Sequence, residues 1–173
     1  MKRNKFLLIL ACILMLTMTL TGCGGGEPNK GSGGEHHEGE GHAHGEYEWI
    51  GEFELKAGKY LFHFDASEDE TMDVGFVKMG ANIIDLEHHA AHLMTTEKEV
   101  IKQDSEFIAK PDYAYTLEMD PEHGHIHFII EEAGTYAIVT EHMPHESNMQ
   151  IFDADQVEIL PVREHEGEGH HHH

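Results

Sequence analysis

The sequence predicts a mostly β chain: an antiparallel β-sandwich with one inserted helix near residues 83–94. Three observations carry that reading. Short runs with apolar and polar residues in alternation recur through residues 46–162, Gly, Pro and Asp punctuate them, and a single stretch replaces the two-residue period with a helical one. About 115 residues in such an array fit the usual size of one domain.

Taken in order, Tyr47, Trp49, Gly51, Phe53 and Leu55 alternate with Glu46, Glu48, Ile50, Glu52 and Glu54, the pattern of a half-buried strand. Lys56-Ala57-Gly58-Lys59 turns the chain into Tyr60, Phe62 and Phe64. Further strands are expected at Met72-Val74-Phe76, Val100 to Gln103, Phe107 to Lys110, Tyr113 to Met119, Ile126 to Ile130, Tyr136-Ile138 and Val157-Ile159. Between them, Ile83, Leu86, Ala90 and Leu93 recur at helical spacing and make a buried stripe. One motif repeats: Ala57-Gly58-Lys59-Tyr60 and Ala133-Gly134-Thr135-Tyr136 share Ala-Gly-x-Tyr before an apolar run, and both copies are expected to be hairpins.

The chain opens Met-Lys-Arg-Asn-Lys, continues with the apolar run Phe6 to Leu20, and ends that run in Leu20-Thr21-Gly22-Cys23. A charged start and an apolar stretch of this length make a secretory signal, too short for a comfortable membrane span. Leu20-Thr21-Gly22-Cys23 resembles the lipobox of bacterial lipoproteins, and the resemblance implies cleavage after residue 22 and a lipid on Cys23. It places the mature protein on the outer face of a bacterial membrane, anchored without spanning it. Residues 23–45, rich in Gly, Glu and His, are expected to be a disordered tether, and residues 163–173 a disordered His-rich tail.

Removing residues 1–22 takes away Cys12 and leaves Cys23 alone, which excludes disulfides, cysteine zinc sites and thiolate-bound copper. The formal net charge of −22 argues against nucleic acid as a partner and in favour of cations.

Eighteen of the 173 residues are histidine, and they are clustered among carboxylates. Imidazole is the commonest protein ligand for transition metals, so the clusters point to metal binding. On the predicted helix, Asp85, His88, His89 and His92 share an arc of about 100°, with His88 and His92 one turn apart. His125 and His127 share one face of a strand whose other face is apolar, with His123 in the loop before them. His142 and His145 form a His-x-x-His loop after a strand, with Glu141, Met143 and Met149 near. His63, between Phe62 and Phe64, is a weaker candidate, since a lone strand histidine is more often packed or solvated than ligating.

Residues 134–149, Gly-Thr-Tyr followed by His142, Met143 and Met149, resemble the final strand and ligand loop of cupredoxins. The resemblance implies a cupredoxin-like sandwich, with an immunoglobulin-like one as the other expectation. Thr140 stands about where the copper-ligating cysteine belongs, which excludes a blue-copper site.

The expected function is capture, buffering or delivery of a divalent transition metal outside the cell, with a membrane transporter as a possible recipient. Zn²⁺ is first choice, because histidine and carboxylate without thiolate suit it; Cu, Ni²⁺ and Co²⁺ use the same ligands. Met143 and Met149 would favour Cu(I) if they ligate. The helix trio and the His142/His145 loop are expected to meet at one ion. A metal-dependent hydrolase ranks low in the absence of a motif such as His-Glu-x-x-His, so the chain is read as a non-enzyme, and a His-based pH sensor is the remaining alternative.

Overall fold

The computed structural model describes residues 46–167, and within them the protein is a β-sandwich with one short helix. The signal, the lipobox with Cys23, the tether and the last six residues lie outside the described residues. Ten strands are present: β1 (Trp49–Leu55), β2 (Gly58–Asp65), β3 (Thr71–Lys78), β4 (Glu99–Ile101), β5 (Glu106–Ile108), β6 (Tyr113–Glu118), β7 (His123–Ile130), β8 (Gly134–Thr140), β9 (Gln150–Phe152) and β10 (Arg163–Glu166). The helix α1 (Leu86–Leu93) lies between β3 and β4. Among the described residues no helix is long and apolar enough to cross a membrane.

Six strands form one sheet in the order β10-β1-β8-β3-β6-β4, and four form the other, β5-β7-β2-β9. Most pairs are antiparallel, as expected, but β4 runs parallel to β6 and β5 parallel to β7. Both exceptions are three-residue strands that edge their sheets; β4 follows α1 and its loop, and β5 follows β4 through a turn in which the Ser105 N–H donates to the Lys102 carbonyl at 3.3 Å.

The alternation seen in the sequence builds the core. Phe62 and Phe64 of β2, Phe76 of β3, Tyr115 of β6 and Phe128 of β7 all point between the sheets and are fully buried or nearly so. The opposite face of the six-stranded sheet is also apolar over part of its area. Ile50, Val77, Ala114, Ala137 and Val139 form a second cluster there with Ala90, Leu93 and Met94 of the helix. Gly75 lets the helix sit this close, because a Cβ at that position would stand 2.9 Å from Leu93 Cδ2.

The two Ala-Gly-x-Tyr copies are not hairpins. Each carries the chain from one sheet to the other, β1 to β2 and β7 to β8. In both, the tyrosine hydroxyl donates to the carbonyl four residues upstream, Tyr60 to Lys56 at 3.1 Å and Tyr136 to Glu132 at 2.8 Å. The repeat therefore encodes a corner between layers, clamped by a tyrosine. A hairpin and a corner share the same turn residues, which is why the sequence pattern did not separate them.

The chain end differs from expectation too. Arg163–Glu166, expected to be part of a disordered tail, is a strand that covers the edge of β1. Its acidic, apolar-poor composition hid it, since an edge strand held by one neighbour needs no hydrophobic alternation. Glu52 of β1, 7 % exposed, is the reason the strand docks: Arg163 Nη1 lies 3.2 Å and His165 Nε2 3.0 Å from its Oε1. Trp49 Nε1 also donates to Glu164 Oε1 at 3.2 Å. Truncation after Val162 is expected to lower stability by about 1–3 kcal/mol, because a buried carboxylate loses its partners. Urea denaturation followed by Trp49 fluorescence checks this, and an unchanged midpoint would contradict it. The expected strand at Val157-Ile159 is reduced to a single bridge, Phe152 with Glu158.

Candidate metal centre

The predicted helical site divides. Asp85 is the N-cap of α1, and its Oδ1 accepts the backbone N–H of His88 at 3.0 Å. That bond satisfies one of the open donors of the first turn, so one Asp85 oxygen is used in capping the helix. His89 turns aside to Asp112, with Nε2 3.0 Å from Oδ1. His88 and His92 do meet across one turn, their Nε2 atoms 3.1 Å apart. Two imidazoles sharing a tetrahedral ion hold their donor nitrogens about 3.4 Å apart, so this pair has the spacing of a bidentate clamp.

The trio does not approach the His142 loop. Thr140, Val74 and Tyr115 lie in one row across β8, β3 and β6. His142 extends two residues beyond that row, whereas Asp112, which holds His89, stands three residues before it. Since β6 and β8 run in the same direction, the two positions are about 17 Å apart along the strands. The single ion shared between helix and loop is therefore excluded by the register, which the sequence does not display.

At the end of the sandwich a different group assembles. Glu48 precedes β1, while His142 and Glu146 follow β8, and one ligand atom from each lies within 4.8 Å of the other two. The loop that carries them is tied down by several bonds. Glu48 Oε2 accepts the N–H of Met143 at 3.2 Å, and the Thr140 hydroxyl donates to the His142 carbonyl at 2.6 Å. The Glu146 N–H donates to the Met143 carbonyl at 3.0 Å, and the Asp65 N–H donates to Ser147 at 2.8 Å. Asp69 adds a further carboxylate, its Oδ2 3.6 Å from His142 Nε2, and Glu146 Oε2 stands 3.9 Å from Nδ1 of the same ring.

Asp69, His142 and Glu146 border a cavity of about 300 Å³, with Met72, Met119 and Ser147 also in its wall. Ser147 Oγ is buried there with no hydrogen-bond partner among the described residues. One imidazole and two or three carboxylates, with no thiolate, match the donor set of a zinc ion. Their present spacing, within 4.8 Å, is wider than the roughly 3.4 Å between donors on a tetrahedral ion, and of the two glutamates Glu146 is exposed.

Only His142 of this group was named from the sequence. His145 is exposed and outside it, and the next residue, Glu146, takes the place expected for it. Glu48 and Asp69 reach the site through the β1–β8 pairing and the β2–β3 connection, contacts made across long stretches of chain. Thr140, at the position the cupredoxin resemblance gives to cysteine, is fully buried and shapes the loop through its hydroxyl. Met143 and Met149 pack against the inter-sheet core, which removes the observation that would have favoured Cu(I).

His125 and His127 point outward from β7, as expected, but they lead separate lives. His125 stands opposite His63 of β2, and His127 opposite Leu61 and alongside Glu106 of β5. Burial, followed by the positive charge of Lys59, holds the His127 pKa below the ordinary imidazole value. Glu106 is ion-paired with Lys59 at 2.8 Å and its carboxyl is pulled below the usual range by that contact.

Family models, curated proteins and solved structures were all compared with the chain, and none matches it. The functional reading rests on the chemistry of these residues.

Proposed function

We propose that this chain is a lipid-anchored protein of the bacterial cell envelope that captures a divalent transition metal, Zn²⁺ first, for buffering or for delivery to a membrane transporter. The grouping of Glu48, before β1, with His142 and Glu146, in the loop after β8, around one point is the observation that carries it. The donors are hard or borderline, the loop is held by backbone bonds, and the neighbouring Asp69 supplies negative charge. The lipobox-like Leu20-Thr21-Gly22-Cys23 supports the anchoring. The histidines of the tether and the terminal run supply weak donors that concentrate ions near the domain. No nucleic acid enters this reading, since the chain's charge of −22 repels it.

A ligand that binds only the folded state stabilises it by about 2.7 kcal/mol at one hundred times its dissociation constant. Thermal unfolding of the full chain in micromolar Zn²⁺ is therefore expected to shift upward by several degrees, and excess EDTA is expected to reverse the shift. An unfolding temperature indifferent to both would count against a metal-binding domain.

A further inference from the structure

We propose that the outer face of the four-stranded sheet carries a second metal site, built by His63, His123 and His125, that holds a divalent first-row ion with a fourth position open to solvent. The site shares no residue with Glu48, His142 and Glu146, and either can fail without the other.

The placement follows from register and pleat. Because Phe62, Phe64, Ile126 and Phe128 are buried between the sheets, His63, His123 and His125 project from the opposite face. His63 is paired directly with His125 across β2 and β7, and His123 follows two residues along, opposite Asp65. The ring centres of His63 and His125 are 5.1 Å apart, and those of His123 and His125 are 5.5 Å apart. Imidazoles on one tetrahedral ion put their ring centres about 5 Å apart, given metal–nitrogen bonds of about 2.1 Å and the radius of the ring. His125 sits between the other two, as the central donor of such a set must. Two outward histidines on one strand and a third on its neighbour thus make a three-donor face on rigid elements, where ligand geometry is held best.

His63 supplies a second, independent observation. Its Nδ1 is buried and has no hydrogen-bond partner among the described residues, although the sheet around it is otherwise well satisfied. A buried nitrogen left unpaired is costly, and coordination of an ion would remove that cost. Phe152 walls the ring on one side, 6.2 Å away and edge-on. The backbone beneath the donors is anchored: Gln103 Oε1 accepts the N–H of His125 at 3.0 Å, and Asp120 Oδ1 accepts that of His123 at 3.2 Å. An all-imidazole set without sulfur suits Zn²⁺, and three protein donors leave one coordination position for water or for an incoming ligand. Such an ion is held firmly enough to be selected and openly enough to be passed on.

The test is a Zn²⁺ titration of the full chain, followed by the ¹H–¹⁵N signals of its imidazoles. A competing chelator is set to keep the terminal histidines unloaded. His63, His123 and His125 are expected to shift together along one saturation curve, and to do so equally in a His142→Ala variant. In His125→Ala the joint response of His63 and His123 is expected to require at least about 100-fold more free Zn²⁺, since loss of a direct ligand exceeds the 10–100-fold effect of an outer-shell change. The His142 signal should then titrate as in the parent, which also shows that the variant is folded. His63→Asn gives the same reading from the other strand. Independent curves for the three rings, no response at all, or an undiminished response of His63 and His123 in His125→Ala would overturn the second site.

Discussion

Replacing Phe128 with alanine is expected to destabilise the domain by about 3–5 kcal/mol, the range for removing a fully buried phenylalanine from a packed core. Phe128 is 0 % exposed and stands at the centre of the aromatic cluster between the sheets. Its ring lies 4.5 Å from that of Phe62, 5.3 Å from Tyr60 and 5.4 Å from Phe76, centre to centre. Those neighbours come from β2 and β3, so the side chain joins the two sheets rather than one strand to the next. Against a typical stability of about 5–15 kcal/mol, the loss is a large fraction of the whole. Equilibrium urea unfolding measures it. Ile129→Ala, on the outer face of the same strand, is expected to cost much less, and equal losses at the two positions would contradict the assignment of faces.

The second large effect concerns the metal. A His142→Ala/Glu146→Gln variant is expected to lose at least about 100-fold in Zn²⁺ affinity at the sheet-end centre, because two of its three grouped donors go while the fold stays. Neither side chain belongs to the inter-sheet core, so the urea midpoint of the metal-free variant should stay within about 0.5 kcal/mol of the parent in stability. Competition against a chromophoric chelator reads the affinity. Retention of parental affinity for the first ion would place the strong site elsewhere, with the His63/His123/His125 face the next position to remove and the His88/His92 clamp after it.

The two-residue alternation was enough to find the core strands, since Phe62, Phe64, Phe76 and Phe128 must each face inward if their neighbours face out. Helical spacing likewise located α1, although its ordered turns run from Leu86 to Leu93 rather than over the whole 83–94 stretch. Pairings between strands were not legible. The Ala-Gly-x-Tyr repeat reads equally well as a hairpin and as the sheet-crossing corner that Tyr60 and Tyr136 clamp.

The group proposed to hold a metal was hidden most by that gap. His142 stood out because histidine is a conspicuous ligand, but Glu48 looked like one more outward glutamate on a strand. Nothing local distinguishes it from Glu46 or Glu54, and only the β1–β8 register brings it to the loop. His63 was discounted for the same reason: a lone strand histidine becomes one of a pair only when β2 is set beside β7 with His125 opposite it. Conversely, Asp85, His89 and His145 had the right chemistry and were claimed by other tasks or by solvent. Asp85 caps a helix, His89 holds Asp112, and His145 is exposed.

In the proposed function the folded domain gathers one divalent ion between Glu48, His142 and Glu146. Crystals of the protein grown with one to two equivalents of Zn²⁺, with diffraction recorded on both sides of the zinc absorption edge, test it most directly. The expected result is an anomalous peak bonded to Glu48, His142 and Glu146 at about 2.0–2.2 Å from each donor. Anomalous zinc at other histidines of the domain, with the space between those three side chains empty, would contradict it.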